Sequence, residues 1–220
     1  MHPPALPAQR HLPAILAASV PLAGWAATTT VLARRLDAAR RDPLTGLMTR
    51  DAFTARATRL IARRPVLVVL VDLDGFKVLN DARGHAAGDA VLAHTAHRLA
   101  AAIGPTGAVG RFGGDEFTAA LPIGPDIDHA LTALSLLHSE LTEPVPFGTD
   151  LLPVGASVGG HLAAPSTPLA DALTAADAAM YAAKRGGGGW ELSEHPARTY
   201  TAAPRRWRRH RPTTAERRAT

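Results

Sequence analysis

The chain of 220 residues (23.0 kDa) is 46% hydrophobic, enough for one buried core with flanking segments left over. It has no cysteine, which excludes a disulfide framework, a zinc ribbon and thiol catalysis. The net charge of +5 is local: from Arg198 onward eight arginines face Glu216 alone, about +7, which leaves about −2 for the rest. Basicity therefore belongs to the tail, and Lys77 and Lys184 are the only lysines.

After an N-terminal tail of residues 1–11, residues 12–33 carry no charge, about the length that spans a bilayer as a helix. Pro21 and Thr28, Thr29 and Thr30 interrupt the run. Arg34, Arg35, Arg40 and Arg41 follow it and only Arg10 precedes it, so the positive-inside tendency places the following chain in the cytoplasm. The expectation is an uncleaved single-pass anchor in the cell membrane, with a cleaved signal peptide and a buried helix as alternatives. Residues 31–41 continue helix-like, with Leu32, Leu36 and Ala39 on one stripe, and 34–41 read as a short stalk.

Asp42 to Leu47 reads as a wide turn, and residues 51–63 as a helix with Phe53, Ala57, Leu60 and Ile61 on one face. Residues 66–71 form an unbroken apolar, β-branched run that ends in Asp72-Leu73-Asp74, the pattern of a central strand covered on both faces. Residues 75–82 are a short helix, 84–89 a turn and 90–103 a clear helix. Strands at 108–112 and 117–121 flank Gly113-Gly114-Asp115-Glu116, a hairpin signal whose glycines permit a tight reversal and close approach of a ligand. The acidic pair at its tip suits a divalent cation, although taken alone it is equally an ordinary polar turn. Residues 126–141 are helical, 151–162 extended and 168–185 helical. The order matches an α/β sandwich with a mixed central sheet and helices on its faces. Glycines 186–189 break the chain, and residues 191–220 read as a disordered basic tail. Its cluster Arg205-Arg206-Trp207-Arg208-Arg209 offers contact with anionic lipid or nucleic acid.

Placed in order, Asp42-Pro-Leu-Thr-Gly-Leu47, Val71-Asp-Leu-Asp-Gly-Phe-Lys-Val-Leu-Asn-Asp81, Gly84-His-Ala-Ala-Gly-Asp89 and Arg111-Phe-Gly-Gly-Asp-Glu-Phe117 resemble the GGDEF-domain diguanylate cyclases. Ser157-Val-Gly159 and Ala176-Asp-Ala-Ala-Met-Tyr-Ala-Ala-Lys184 are similar to the closing elements of that family. The resemblance covers residues 42–190 and implies a nucleotidyl-cyclase-like fold with a ferredoxin-like core. It implies condensation of two GTP into cyclic di-GMP with release of pyrophosphate, dependent on Mg²⁺ or Mn²⁺, across a homodimer of two half-sites. Asp72, Asp115 and Glu116 would then be catalytic, and with the carbonyl of Leu73 would hold the metal. Asn80 and Asp89 match the guanine-reading pair. Lys77 and Lys184 would neutralise phosphate charge, and the backbone of Gly75, Phe76, Gly113 and Gly114 would line the phosphates.

Two departures matter. Where the family carries an arginine in its closing Gly-Arg-Asn, this chain has Gly188, with Arg185 as a substitute cation. That glycine keeps a second reading open, a GTP-binding regulatory module without turnover. The product-inhibition motif Arg-x-x-Asp would fall on Gly104-Pro105-Thr106-Gly107 and is absent, which implies no feedback inhibition through that site.

Overall fold

The structure, a computed structural model, describes residues 25, 28–32 and 39–193. It divides into a unit of residues 1–40 and a unit of residues 41–220. In the first, residues 25 and 28–32 are helical, with Thr29 Oγ1 donating to the Trp25 carbonyl at 2.8 Å, and residues 39–40 form a turn. Among the described residues no helix is long and apolar enough to cross a membrane. This overturns the expected membrane span over residues 12–33, and with it the single-pass placement in the cell membrane and the membrane contact through that helix. The physical reason is visible in the sequence: freedom from charge is not apolarity, and Thr28, Thr29 and Thr30 place three hydroxyls in the run. Most of that segment, most of the stalk and the basic tail from residue 194 lie outside the described residues. Arg41, assigned to the stalk, instead forms a β-bridge with Met48.

The second unit runs α1 (Arg50–Ile61), β1 (Val66–Asp74), α2 (Phe76–Arg83), α3 (His85–Ile103), β2 (Ala108–Gly113), β3 (Glu116–Pro122), α4 (Ile127–Thr142), β4 (Val145–Phe147), β5 (Asp150–Leu152), β6 (Gly155–Ala163), α5 (Leu169–Arg185) and β7 (Gly189–Leu192). Five strands form one sheet in the order β2-β3-β1-β6-β7, and β4 and β5 form a separate hairpin. β1 lies antiparallel to both β3 and β6, while β6 and β7 run parallel. The sheet is mixed and helices cover both faces, as the element order predicts.

β1 explains why the run at 66–71 is apolar without alternation. Its side chains point to opposite faces in turn. Leu67, Val69, Val71 and Leu73 enter the core beneath α3 and α4, whereas Val66, Val68 and Leu70 enter the core beneath α1 and α5. None of the seven is more than 3% exposed. α3 buries Val91, Leu92, Thr95, Ala96, Leu99 and Ile103, a three-to-four spacing that turns one stripe to the sheet. Gly159 lets α5 approach β6: a Cβ there would lie 2.1 Å from the Ala176 carbonyl oxygen and the Met180 nitrogen.

Three local expectations change. α3 begins at His85, so residues 84–89 are its capping glycine and first turn rather than a loop. The extended run at 151–162 is two strands, β5 and β6, separated at Pro153 and Val154. β7 carries the ordered fold to Leu192, past the point where composition turns polar, because Gly189 to Leu192 pair with Ser157 to Gly160.

His161 on β6 is a buried ionisable group of the core. It is 5% exposed, and its Nδ1 has no hydrogen-bond partner. Burial holds its pKa below the ordinary value of 6.5, so the neutral ring is favoured when folded and the unfolded chain binds the proton more readily. That contribution is intact above about pH 6.5 and is lost as pH falls toward the depressed folded value. Melting temperatures measured between pH 7.5 and 5 should therefore decline, and His161→Leu should flatten the decline; an unchanged slope in the variant would contradict this.

Candidate active site

The site forms where β1 ends. Asp72 lies in register with Glu116 of β3 on one side and Ser157 of β6 on the other. Residues directly opposite on antiparallel strands have Cβ atoms about 4.5–5.5 Å apart and face the same way, so two carboxylates lie side by side at the end of the central strand. Asp72 is 3% exposed, and the Nζ of Lys184 lies 2.5 Å from its Oδ1. Lys184 reaches it from the last turn of α5, whose Ala179, Met180 and Ala183 are buried against the sheet. An ammonium on a buried carboxylate is the expected partner for a charge removed from water.

The glycine turn is tied to the same strand end. The Leu73 amide donates to the Asp115 carbonyl at 3.3 Å. Gly113 pairs with Glu116 across the turn, leaving Gly114 and Asp115 as its two central residues. Gly114 has φ +51, a conformation that glycine adopts without steric cost at the first position of such a turn. No atom lies within 4 Å of the Cβ position at Gly113 or Gly114, so the backbone of the tip is open to a ligand.

Sequence reasoning missed what holds the tip. Arg111 donates through Nε and Nη2 to the Gly114 carbonyl at 3.0 and 2.7 Å, and through Nη1 to Asp42 Oδ1 at 3.1 Å. Asp42 also accepts from the amide and hydroxyl of Thr45. Burial raises its pKa, but the bonds from Thr45 and Arg111 outweigh burial and hold it below its ordinary value. Met48 pairs with Gly110, so the turn at 42–47 is laid against β2. From the other side, Arg50 lies over the Phe112 ring at 4.8 Å, and Phe53 meets that ring edge-on at 5.4 Å. In an arginine-rich chain a lone Arg111 carries no signal; its adjacency to the glycine pair was the available hint.

The remaining expected residues sort into two groups. Asn80 of α2 and Asp89 of α3 come together: a Cβ at Gly88 would lie 2.1 Å from Asn80 Oδ1, so the amide rests on bare backbone beside exposed Asp89. Asp89 lies inside α3 and does not cap it. Gly75, with φ +67, caps α2, Phe76 packs on the core beneath α3 and α4, and Lys77 is exposed. Gly188 has φ +104, and a Cβ there would lie 3.2 Å from Asp74 Oδ2. An arginine would be strained at this position. Arg185, the proposed substitute, lies over the Tyr181 ring at 5.2 Å. Asp74 Oδ1 accepts from Ser157 Oγ at 2.8 Å, a partly buried brace that no residue pattern predicts.

Among the described residues no three His, Asp or Glu side chains converge as a ready metal cluster. The donor chemistry nevertheless fits a hard divalent ion: Asp72 and Glu116 are adjacent carboxylates, Asp115 is next in the chain, and Lys184 already places a cation on Asp72.

A family profile described as "Diguanylate cyclase, GGDEF domain" matches residues 39–189. The chain is 53% identical over 175 residues to an uncharacterized 19.3 kDa protein of Streptomyces ambofaciens, covering 78% of this chain and 93% of that one. It is 35% identical over 158 residues to the diguanylate cyclase TpbB of Pseudomonas aeruginosa, covering 67% of this chain and 35% of that protein's length. The solved GGDEF domain of TpbB superimposes with a TM-score of 0.65 at 34% identity, over 70% of this chain and 94% of that one. The coiled coil and GGDEF domain of DgcB from Caulobacter crescentus, solved with c-di-GMP, gives 0.72 at 26% identity over 84% and 99%. The chain belongs to the GGDEF diguanylate cyclase family. That is a family of nucleotidyl-transferring enzymes that make cyclic di-GMP from GTP and require a divalent metal ion.

The clamp at Arg111 is open to a direct test. Arg111→Ala removes charge-assisted bonds to the Gly114 carbonyl and to Asp42, and should cost about 1–3 kcal/mol in denaturant unfolding. A double-mutant cycle with Asp42→Asn should return a non-zero coupling, and strict additivity would show that the two do not interact.

Proposed function

We propose that this chain condenses two GTP molecules into cyclic di-GMP and that Asp72, Asp115 and Glu116 carry the chemistry. In each half-reaction the 3′-oxygen of one GTP forms a bond to the α-phosphorus of the other, the α–β bridging bond breaks, and pyrophosphate leaves with the electron pair. The observation that carries the reading is the register of Asp72 with Glu116 at the end of a buried strand, with Asp115 bonded to that strand through its carbonyl.

A bound Mg²⁺ or Mn²⁺ supplies charge neutralisation and polarisation of the phosphates. The carboxylates of Asp72, Asp115 and Glu116 and the main-chain carbonyl of Leu73 would hold it. Glu116 also takes part in removing the proton from the attacking hydroxyl. Lys184, 43% exposed on a flexible stem, moves from Asp72 to the β- and γ-phosphates, with Lys77 as the second cation. The open backbone of Gly113 and Gly114 and the amides of Gly75 and Phe76 lie along the triphosphate. Asp89 accepts from guanine N1–H and N2–H, and the Asn80 amide faces the acceptor edge. One chain supplies one such site and the product needs two GTP, so two chains meet face to face.

Incubation of the protein with GTP and Mg²⁺ should yield cyclic di-GMP and pyrophosphate. Asp72→Asn, Asp115→Ala and Glu116→Gln should each lower the rate at least about 100-fold without loss of fold by circular dichroism. GTP binding with no product from the parent chain would favour the second reading, which rests on Gly188. Gly88→Ala pushes the Asn80 amide off its seat and should raise KM for GTP about tenfold, the equivalent of one lost hydrogen bond, with kcat little changed. An unchanged KM would remove Asn80 from guanine recognition.

A further inference from the structure

The groove between α3 and α4 takes no part in the chemistry above. A cavity of about 600 Å³ opens there, floored by Leu67 and Val69 of β1 and walled by Ile103 of α3 and Leu137 of α4. Leu136 at its rim is 64% exposed. The volume and apolar lining suit one large side chain or a small molecule. Twelve residues line it, against roughly 20–30 a side in a stable interface between proteins.

The charges beside it point to the occupant. Residues 124–144 carry Asp126, Asp128, Glu140 and Glu143 with no lysine or arginine, and Glu140 lines the groove itself. Glu140 and Glu143 lie at the C-terminal end of α4, where the helix macrodipole is already negative and cations are favoured. The opposite wall offers His97 and Arg98. Arg98 is engaged, donating to the carbonyls of Glu143 and Pro144 at 2.5 and 2.9 Å. The complement of this surface is an apolar ring flanked by cations.

The chain contains that complement. Arg205-Arg206-Trp207-Arg208-Arg209 sets one tryptophan between two arginine pairs. The segment leaves from β7, against which α4 packs, and its start is fixed by the Ser193 amide donating to the Gly160 carbonyl at 2.8 Å. Trp207 lies fourteen positions beyond Ser193, a reach of up to about 45 Å, and α4 is only about 10–12 Å across. We propose that residues 194–220 dock on their own domain, with Trp207 in the groove between α3 and α4 and its flanking arginines on Glu140 and Glu143. Tethering favours this occupant over a free one, since a covalent link of this length raises the effective concentration into about the millimolar range.

The absence of cysteine permits a clean cross-linking test in the full chain. The double variant Ala101→Cys/His210→Cys places one thiol on the groove wall and one three residues past Trp207. Arg59→Cys/His210→Cys is the control, with Arg59 exposed on α1 at the opposite face of the sheet. Under mild oxidation the first pair should form an intramolecular disulfide at least tenfold faster than the second, and adding Trp207→Ser should abolish the difference. Equal rates for the two pairs would overturn the proposal. So would a disulfide forming only between chains, which would assign the groove to a second copy, or an excess that survives Trp207→Ser.

Discussion

The molecule depends on one strand being buried on both faces. β1 can occupy the middle of the sheet only because every side chain from Val66 to Val71 is apolar, and its length then fixes where the first charged residue falls. Asp72 is carried by that geometry into a 3% exposed position. A carboxylate there is costly unless it meets a cation. Lys184 meets it within the chain, and a metal ion with GTP does so in the proposed reaction. The strain of placing a charge at the end of a core strand is thus the property that makes the position useful.

The acidic hairpin is a moving part unless it is restrained, since two short strands are marginal alone. Here it is restrained from three directions. β3 pairs with β1 along seven residues, ending at Asp72 with Glu116. The Arg50 and Phe53 contacts fix Phe112 from α1. Arg111 joins the turn carbonyl to Asp42, at the point where the preceding chain enters the domain. That last bond ties the hairpin tip directly to the segment leading in from residue 41.

Much of this was legible from residues alone, for identifiable reasons. The unbroken apolar run of β1 and the helical stripe of α3 are long periodic signals, and the glycine pair followed by two acids is a compact one. Elements that depend on a partner were not legible. β4 and β7 have three and four residues, too few for a pattern, and β7 exists because β6 offers an edge. Asn80 and Asp89 were paired by resemblance, but the part played by Gly88 follows only from the helices crossing at that point. The charge-free N-terminal run resembles a membrane span in length, but its three threonines make it less apolar than that length suggests. Gly188 stands where the family carries an arginine, and its positive φ with the Asp74 carboxylate 3.2 Å from its Cβ position would strain a side chain there.

A crystal structure with Mg²⁺ and a slowly reacting GTP analogue bears most directly on the role of Asp72. The expected result is a cation bound between Asp72 and Glu116, with the Lys184 ammonium moved from the carboxylate to the phosphates. A metal and nucleotide bound away from β1, with Lys184 still resting on Asp72, would contradict it.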